Sequence, residues 1–204
     1  MNKEDFVNQF INNGSKPADG LVPAGHIKDQ TGKDFRKENG KLSKDDVKKA
    51  KKNWEEAKKE LGKDQVTIEL LNYDNGNAKK IGEYLKGQLE KNLQGLTVNI
   101  KLQPFKQKLK LEQKGDYEIA IDGWSPDYAD PITYLELFTT GNPYNKMNYS
   151  NPKYDELIKK AKTDLAREQK KRWEALLEAE KILLEDAAVS YWFSICTKGL
   201  RKGN

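Results

Sequence analysis

Three short runs with a period of two constrain this chain most. Val66, Ile68 and Leu70 alternate with Thr67 and Glu69, and Val98, Ile100 and Leu102 alternate with Thr97, Asn99 and Lys101. Tyr117, Ile119 and Ile121 form the third run. Such alternation marks strands with one apolar face. A helical pattern separates the first two, with Ile81, Tyr84, Leu85 and Leu89 on one face; a second follows Pro104 and carries Phe105, Leu109 and Leu111. Strand, helix, strand, helix, strand implies right-handed crossovers and a parallel sheet. The fold class expected is therefore α/β, a mainly parallel central sheet flanked by helices. Open sheets of this kind place ligands beyond the carboxyl ends of their strands.

Around this unit the pattern is helical. Residues 3–11 read as a short helix with Phe6, Val7, Phe10 and Ile11 on one face. Residues 12–42, rich in Gly and Pro, read as a long irregular connection, packed or functional. Ser43 is expected to cap a helix of about 18 residues, with Asp45 and Asp46 in its first turn and Val47, Ala50, Trp54, Ala57 and Leu61 as its stripe. A short helix after Pro131 carries Ile132, Tyr134, Leu135 and Phe138. Asn151-Pro152 opens another, with Tyr154, Leu157, Ile158, Ala161 and Leu165 inward. A last helix starts near Arg167 with Trp173, Leu176, Leu177 and Leu184 inward, and residues 187–195 read as a final strand.

The balance of 37 basic to 32 acidic side chains leaves a net charge of +5 spread among acids. A nucleic-acid surface needs a concentrated basic patch, so no nucleic-acid partner is expected. The single cysteine, Cys196, permits no internal disulfide and reads as a small buried hydrophobe. One His and one Cys make no zinc pattern, and Asp74-Asn75-Gly76-Asn77 reads as a strand-to-helix turn rather than a calcium loop. His26 lies in a Gly/Pro-rich loop with nothing near it to build a triad, and reads as a surface residue. No catalytic residue, metal or cofactor is expected. No apolar run approaches the ~18 residues of a membrane span. No apolar segment follows the opening residues, so the expectation is a cytoplasmic protein or a targeting segment outside this chain.

One stretch is chemically unusual. Ala120-Ile121-Asp122-Gly123-Trp124-Ser125-Pro126-Asp127-Tyr128-Ala129-Asp130-Pro131 leaves the third strand and holds two large aromatics, three carboxylates and two prolines. Between Asp116 and Asn145 six acidic side chains stand with no Lys or Arg, against the positive sign of the chain. A carboxylate beside an aromatic face at a strand end suits an ammonium group. The residues leave two readings open: a binding element, or a Trp124 in the core with Asp127 capping the next segment. Asp130, before Pro131, reads as a helix cap.

The segment from Asp116 to Pro131, with its Gly123-Trp124-Ser125-Pro126-Asp127 centre, closely resembles the signature of the oligopeptide- and dipeptide-binding proteins of ABC importers. The resemblance extends to Gly20-Leu21-Val22-Pro23, Asn145, the run 148–155, Arg167 and Ala179-Glu180-Lys181-Ile182-Leu183, essentially the whole chain. It implies a lobe of the periplasmic-binding-protein type II kind, with 1–204 as a single, later lobe and 12–42 as an irregular connection inside it. It implies that Asp127 pairs with the α-ammonium of a peptide, that Trp124 and Gly123 line the same pocket, and that the backbone at Ser125 bonds the peptide main chain. Pro126 has no amide to donate. The implied partners are an oligopeptide and an ABC permease, for a monomer at an extracytoplasmic, lipid-anchored or periplasmic location. Relatives of the family take nickel complexes, opines or pheromones, so another solute stays open, as do a signalling or adhesion module on the same fold and a carboxylate-dependent hydrolase. Family members are much longer and two-lobed, so the chain is expected to be an excised domain, opening with an added methionine and carrying the ammonium subsite without its opposing wall.

Overall fold

A computed structural model of the chain describes residues 3–42 and 46–194. In chain order the elements are α1 (Lys3–Asp5), continued by a π-helical stretch Phe6–Ile11, then β1 (Lys16–Pro17), α2 (Phe35–Asn39), α3 (Val47–Leu61), β2 (Val66–Tyr73), α4 (Gly76–Asn92), β3 (Leu96–Gln103), α5 (Phe105–Lys114), β4 (Ile119–Ala120), α6 (Ile132–Leu135) with a 3-10 turn Glu136–Phe138, α7 (Pro152–Lys162), α8 (Gln169–Glu185) and β5 (Phe193–Ser194). These elements group into two compact units. The first holds Asp46–Ser125; the second holds Asn2–Asp45 and Pro126–Asn204.

The first unit is the expected α/β element. Its sheet has the order β3-β2-β4, and both pairings are parallel. β2 and β3 pair along their whole length, from Val66 opposite Leu96 to Tyr73 opposite Gln103. Leu70, Leu71 and Val98 of the sheet are buried, Leu70 and Leu71 on its opposite faces, and α4 contributes the buried Ala78 and Leu85. Each such aliphatic side chain stabilises the unit by roughly 1.5–3 kcal/mol relative to exposure. Gly82 lets α4 approach closely, since a Cβ there would stand 3.0 Å from the Asn72 amide. The strand-to-helix turn expected before α4 is present, and it carries a cap not read from the sequence: Asn75 Oδ1 accepts from Ala78 N at 2.9 Å.

The structure corrects three expectations here. The third strand pairs only through Ile119 and Ala120, opposite Leu70 and Leu71, with one further bond from Ile121 N to Leu71 O. Ile119 is 41% exposed, because an edge strand of two residues has little to be covered by. The helix before β2 starts at Val47 and is capped by Asp46, whose side chain accepts from Lys49 N; the expected cap Ser43, with Asp45, lies outside the described residues. Its stripe is not core: Val47, Ala50 and Leu61 are exposed, Trp54 and Ala57 half-buried, and the Trp54 indole donates to Gln94 O at 2.8 Å. In α5 the fully buried side chains are Lys108 and Glu112, while Phe105 is exposed.

The second unit is mainly helical. Its core gathers Val22, Ile27 and Phe35 from the irregular stretch, Ile132, Tyr134, Leu135 and Phe138 from α6 and its 3-10 extension, and the inward faces of α7 and α8. Asn151 caps α7, accepting from Lys153 N and Tyr154 N, with Pro152 in the first turn as expected. Leu165 falls beyond the end of α7. Residues 12–42 are irregular in path but tied in, with β1, α2 and a bridge from Lys28 to Asp34. The predicted strand over 187–195 shrinks to β5, which pairs antiparallel with β1 through Pro17–Phe193 and Lys16–Ser194. The chain turns at Ala187 with φ 54°, which breaks an extended run. Ile195 and Cys196 lie outside the described residues.

Candidate functional site

The sheet of the first unit delivers Gly123, Trp124 and Ser125 at the carboxyl end of β4. Asp122 anchors their start. Its Oδ1 accepts from Tyr73 Oη at 2.8 Å and from Gly123 N at 2.9 Å. Tyr73 ends β2, and its ring stacks on Phe105 with centroids 5.8 Å apart and planes 14° apart. Burial, then the Asp122 carboxylate, pushes the Tyr73 phenol well above its ordinary range, so it stays a donor. Lys108 Nζ lies 4.1 Å from the centroid of the same ring, pairs with Glu112 and stands 3.9 Å from Asp122 Oδ1. Because the Gly123 amide is held by Asp122, its carbonyl is the group it presents. Trp124 is 38% exposed, which removes the reading of this indole as core.

The chain passes into the second unit between Ser125 and Pro126. There Pro126, Asp127, Tyr128 and Ala129 line a concavity of about 210 Å3 together with His26, Ile27 and Tyr134. Asp127 is exposed, and its carboxylate makes no hydrogen bond or ion pair among the described residues. It caps nothing. Neighbouring carboxylates are committed. Asp130 accepts from Ile132 N at 2.9 Å, as its capping position predicts, and takes both Arg172 Nη atoms at 2.8 and 2.9 Å. Glu136 pairs with Lys162 at 2.7 Å and accepts from Tyr128 Oη at 3.4 Å. Burial first, then Glu136 and Asp130, raises the Tyr128 phenol; burial alone raises Tyr134. Both phenols are held in the neutral form.

The four residues marked from sequence thus divide between the two units: Gly123, Trp124 and Ser125 close the first, and Asp127 lies just inside the second. Sequence reading missed His26 and Ile27 as companions of Asp127. They lie in a loop far away in the chain, with only the Gly/Pro-rich setting as a signal. It also missed Lys108, since an i, i+4 Lys–Glu pair reads the same whether solvated or buried. Among the described residues no cluster of His, Cys, Asp and Glu is arranged to hold a metal ion, and no helix is long and apolar enough to cross a membrane.

Residues 1–146 match the family described as bacterial extracellular solute-binding proteins, family 5, middle part. The dipeptide-binding protein of Lactococcus lactis is 39% identical over 151 residues, which cover 74% of this chain and 28% of that protein. Dipeptide-binding protein DppE of Bacillus subtilis is 34% identical over 192 residues, 93% of this chain and 34% of its own length. Among solved structures, the substrate-binding domain of an oligopeptide ABC transporter from Bacillus anthracis superposes with a TM-score of 0.86 at 59% identity, covering 92% of this chain and 36% of that one. Peptide-bound OppA of Listeria monocytogenes gives 0.88 at 41% identity, over 96% and 37%. The chain spans about a third or less of the length of the two relatives. A match over more than half of its residues, on a type II periplasmic-binding fold and through the Asp116–Pro131 segment, places it: the chain belongs to the bacterial extracellular solute-binding proteins of family 5.

Proposed function

We propose that this chain is the later lobe of a peptide-capturing, extracytoplasmic component of an ABC importer, and that Asp127 takes the α-ammonium of the bound peptide. Trp124 lines the ammonium subsite with Gly123, and the backbone at Ser125 bonds the peptide main chain as an added strand. Every peptide carries an ammonium and a repeating backbone, so these two features give affinity without a preferred side chain. The observation that carries the reading is the Asp127 carboxylate: exposed, without a partner among the described residues, and lining a concavity with two neutral phenols. The partner in transport is a permease, the protein acts as a monomer held outside the cytoplasm by a lipid anchor or in the periplasm, and it performs no catalysis.

An exposed ammonium–carboxylate pair is worth about 0–1 kcal/mol, whereas breaking an enclosed pair costs about 3–5 kcal/mol. Capture therefore needs the site to be enclosed by the rest of a longer protein. The test is calorimetric titration of tetra- to hexapeptides, with free and with acetylated amino termini, into that longer protein. Free-amine peptides are expected to bind, with acetylation and Asp127→Asn each weakening them by a few kcal/mol and not adding. Equal affinity for acetylated and free peptides would remove Asp127 from this role.

A further inference from the structure

Lys108 is a charged side chain with no exposure, on a helix whose single Phe faces solvent. A lysine placed there for packing alone would be better replaced by Met or Leu, because a buried ion pair contributes little to stability relative to apolar isosteres. Its surroundings suggest another task. The ammonium meets three elements at once: Glu112 on its own helix, the Tyr73 ring at the end of β2, and Asp122 at the end of β4. β4 is too short to fix the path of the chain beyond it, since its ladder ends with the bond from Ile121 N to Leu71 O. From Asp122 onward, direction is set by side chains. Tyr73 Oη holds Asp122, and Asp122 in turn holds the Gly123 amide.

We propose that Lys108 is a positioning residue for the turn Asp122–Ser125, fixing through Tyr73 and Asp122 the path on which Gly123, Trp124 and Ser125 leave the sheet. The ammonium orients the carboxylate by charge and the Tyr73 ring by its π face, and the ring presents its hydroxyl to that carboxylate. Neither contact touches ligand. The group acts by holding the carboxyl end of β4 in one geometry, the role that supporting side chains play behind a binding site.

Removing Lys108 alone takes its cation from the buried Glu112 and can prevent folding. The informative variants are therefore the apolar pair Lys108→Met/Glu112→Leu, which keeps the volume, and Tyr73→Phe, which keeps the ring. The chain has four tryptophans. Fluorotryptophan labelling gives one fluorine NMR line for each, and Trp124→Phe assigns that of Trp124. In both variants the Trp124 line is expected to shift while those of Trp54, Trp173 and Trp192 stay. A Trp124 line that does not move in the folded double variant, or four lines that move together, overturns the proposal. In the longer protein, peptide affinity is expected to fall about tenfold, the effect of some 1.4 kcal/mol; unchanged affinity in a protein that does bind peptide also overturns it. The affinity measurement rests on the function proposed above and the spectroscopic one does not, so a protein that binds no peptide at all refutes that function while the fluorine lines still decide the role of Lys108.

Discussion

Arg36 donates from Nη2 to the Glu180 carboxylate in the core of the second unit, 144 residues away along the chain. Glu180 is wholly buried, and each of its oxygens is used: Oε1 accepts from Val22 N at 2.9 Å, and Oε2 also accepts from Asn39 Nδ2 at 2.6 Å. Arg36 Nε returns to Val22 O at 3.2 Å. One carboxylate on α8 thereby anchors a stretch that has almost no regular structure of its own. The irregular path of residues 12–42 is paired through side chains where a strand or helix would pair through backbone.

This pairing predicts an asymmetric response to mutation. Arg36→Met leaves Glu180 buried without its cation and is expected to cost about 3–5 kcal/mol, while Arg36→Met/Glu180→Leu costs much less. Urea unfolding followed by Trp173, whose ring meets Phe35 edge-on at 5.0 Å, measures both. A double variant as unstable as the single one would show that the charge is not what matters.

Gly20 belongs to the same arrangement. A Cβ at this position would run into the Arg36 guanidinium, so the glycine is there for space. Gly20→Ala is expected to destabilise by about 1–3 kcal/mol through overpacking. In an Arg36→Met background the penalty should disappear, because the colliding group is gone. Additive losses in the double-mutant cycle would refute the collision.

The central sheet was legible in the sequence because β2 and β3 are long enough for alternation to declare them. The third strand was only half legible: Tyr117, Ile119 and Ile121 alternate, yet pairing stops after two residues because Asp122 turns to Tyr73 and not to the ladder. The cap at Asn151 and the turn at Asn75 were readable since their geometry is local. What failed depended on distant neighbours. The α3 stripe has the right period for a core face, but nothing in the period says whether another element covers it. The same holds for the site. Trp124 and Asp127 stand out by composition, whereas His26 joins Asp127 only through the folding of a loop, and Lys108 joins Asp122 only through the packing of α5 on β2.

The junction after α8 gives the protein a pH dependence. Asp186 Oδ2 accepts from Tyr149 Oη at 2.6 Å and from Asn151 Nδ2 at 2.7 Å. These two bonds, the phenol's first, hold its carboxyl below the usual range. A folded-state pKa below the unfolded one stabilises the protein above the unfolded value of about 4, and this contribution is lost as pH falls through the folded value. Asp186→Asn should therefore melt below wild type at neutral pH, and the two should converge as the pH falls from neutral into acid, through the lowered folded-state value. Melting curves recorded across that range by circular dichroism check it; a gap that persists or widens in acid contradicts the assignment.

Asp127 and Asp130, three positions apart, are expected to separate function from stability. Asp130 holds the amide of Ile132 and both Nη atoms of a half-buried Arg172, and charge-assisted bonds of this kind are worth about 1.5–3 kcal/mol. Asp130→Asn weakens the fork to Arg172, so it should destabilise the second unit by an amount of that order. Asp127 is exposed and contributes no bond among the described residues, so Asp127→Asn should leave stability within about 0.5 kcal/mol of wild type. Urea unfolding of both variants alongside the wild-type chain gives the first half of the comparison. Peptide titration of the longer protein gives the second, where the order reverses and Asp127→Asn carries the larger loss. If Asp127→Asn lowers stability as much as Asp130→Asn does, its carboxylate is part of the scaffold, and the ammonium of the ligand must be sought elsewhere.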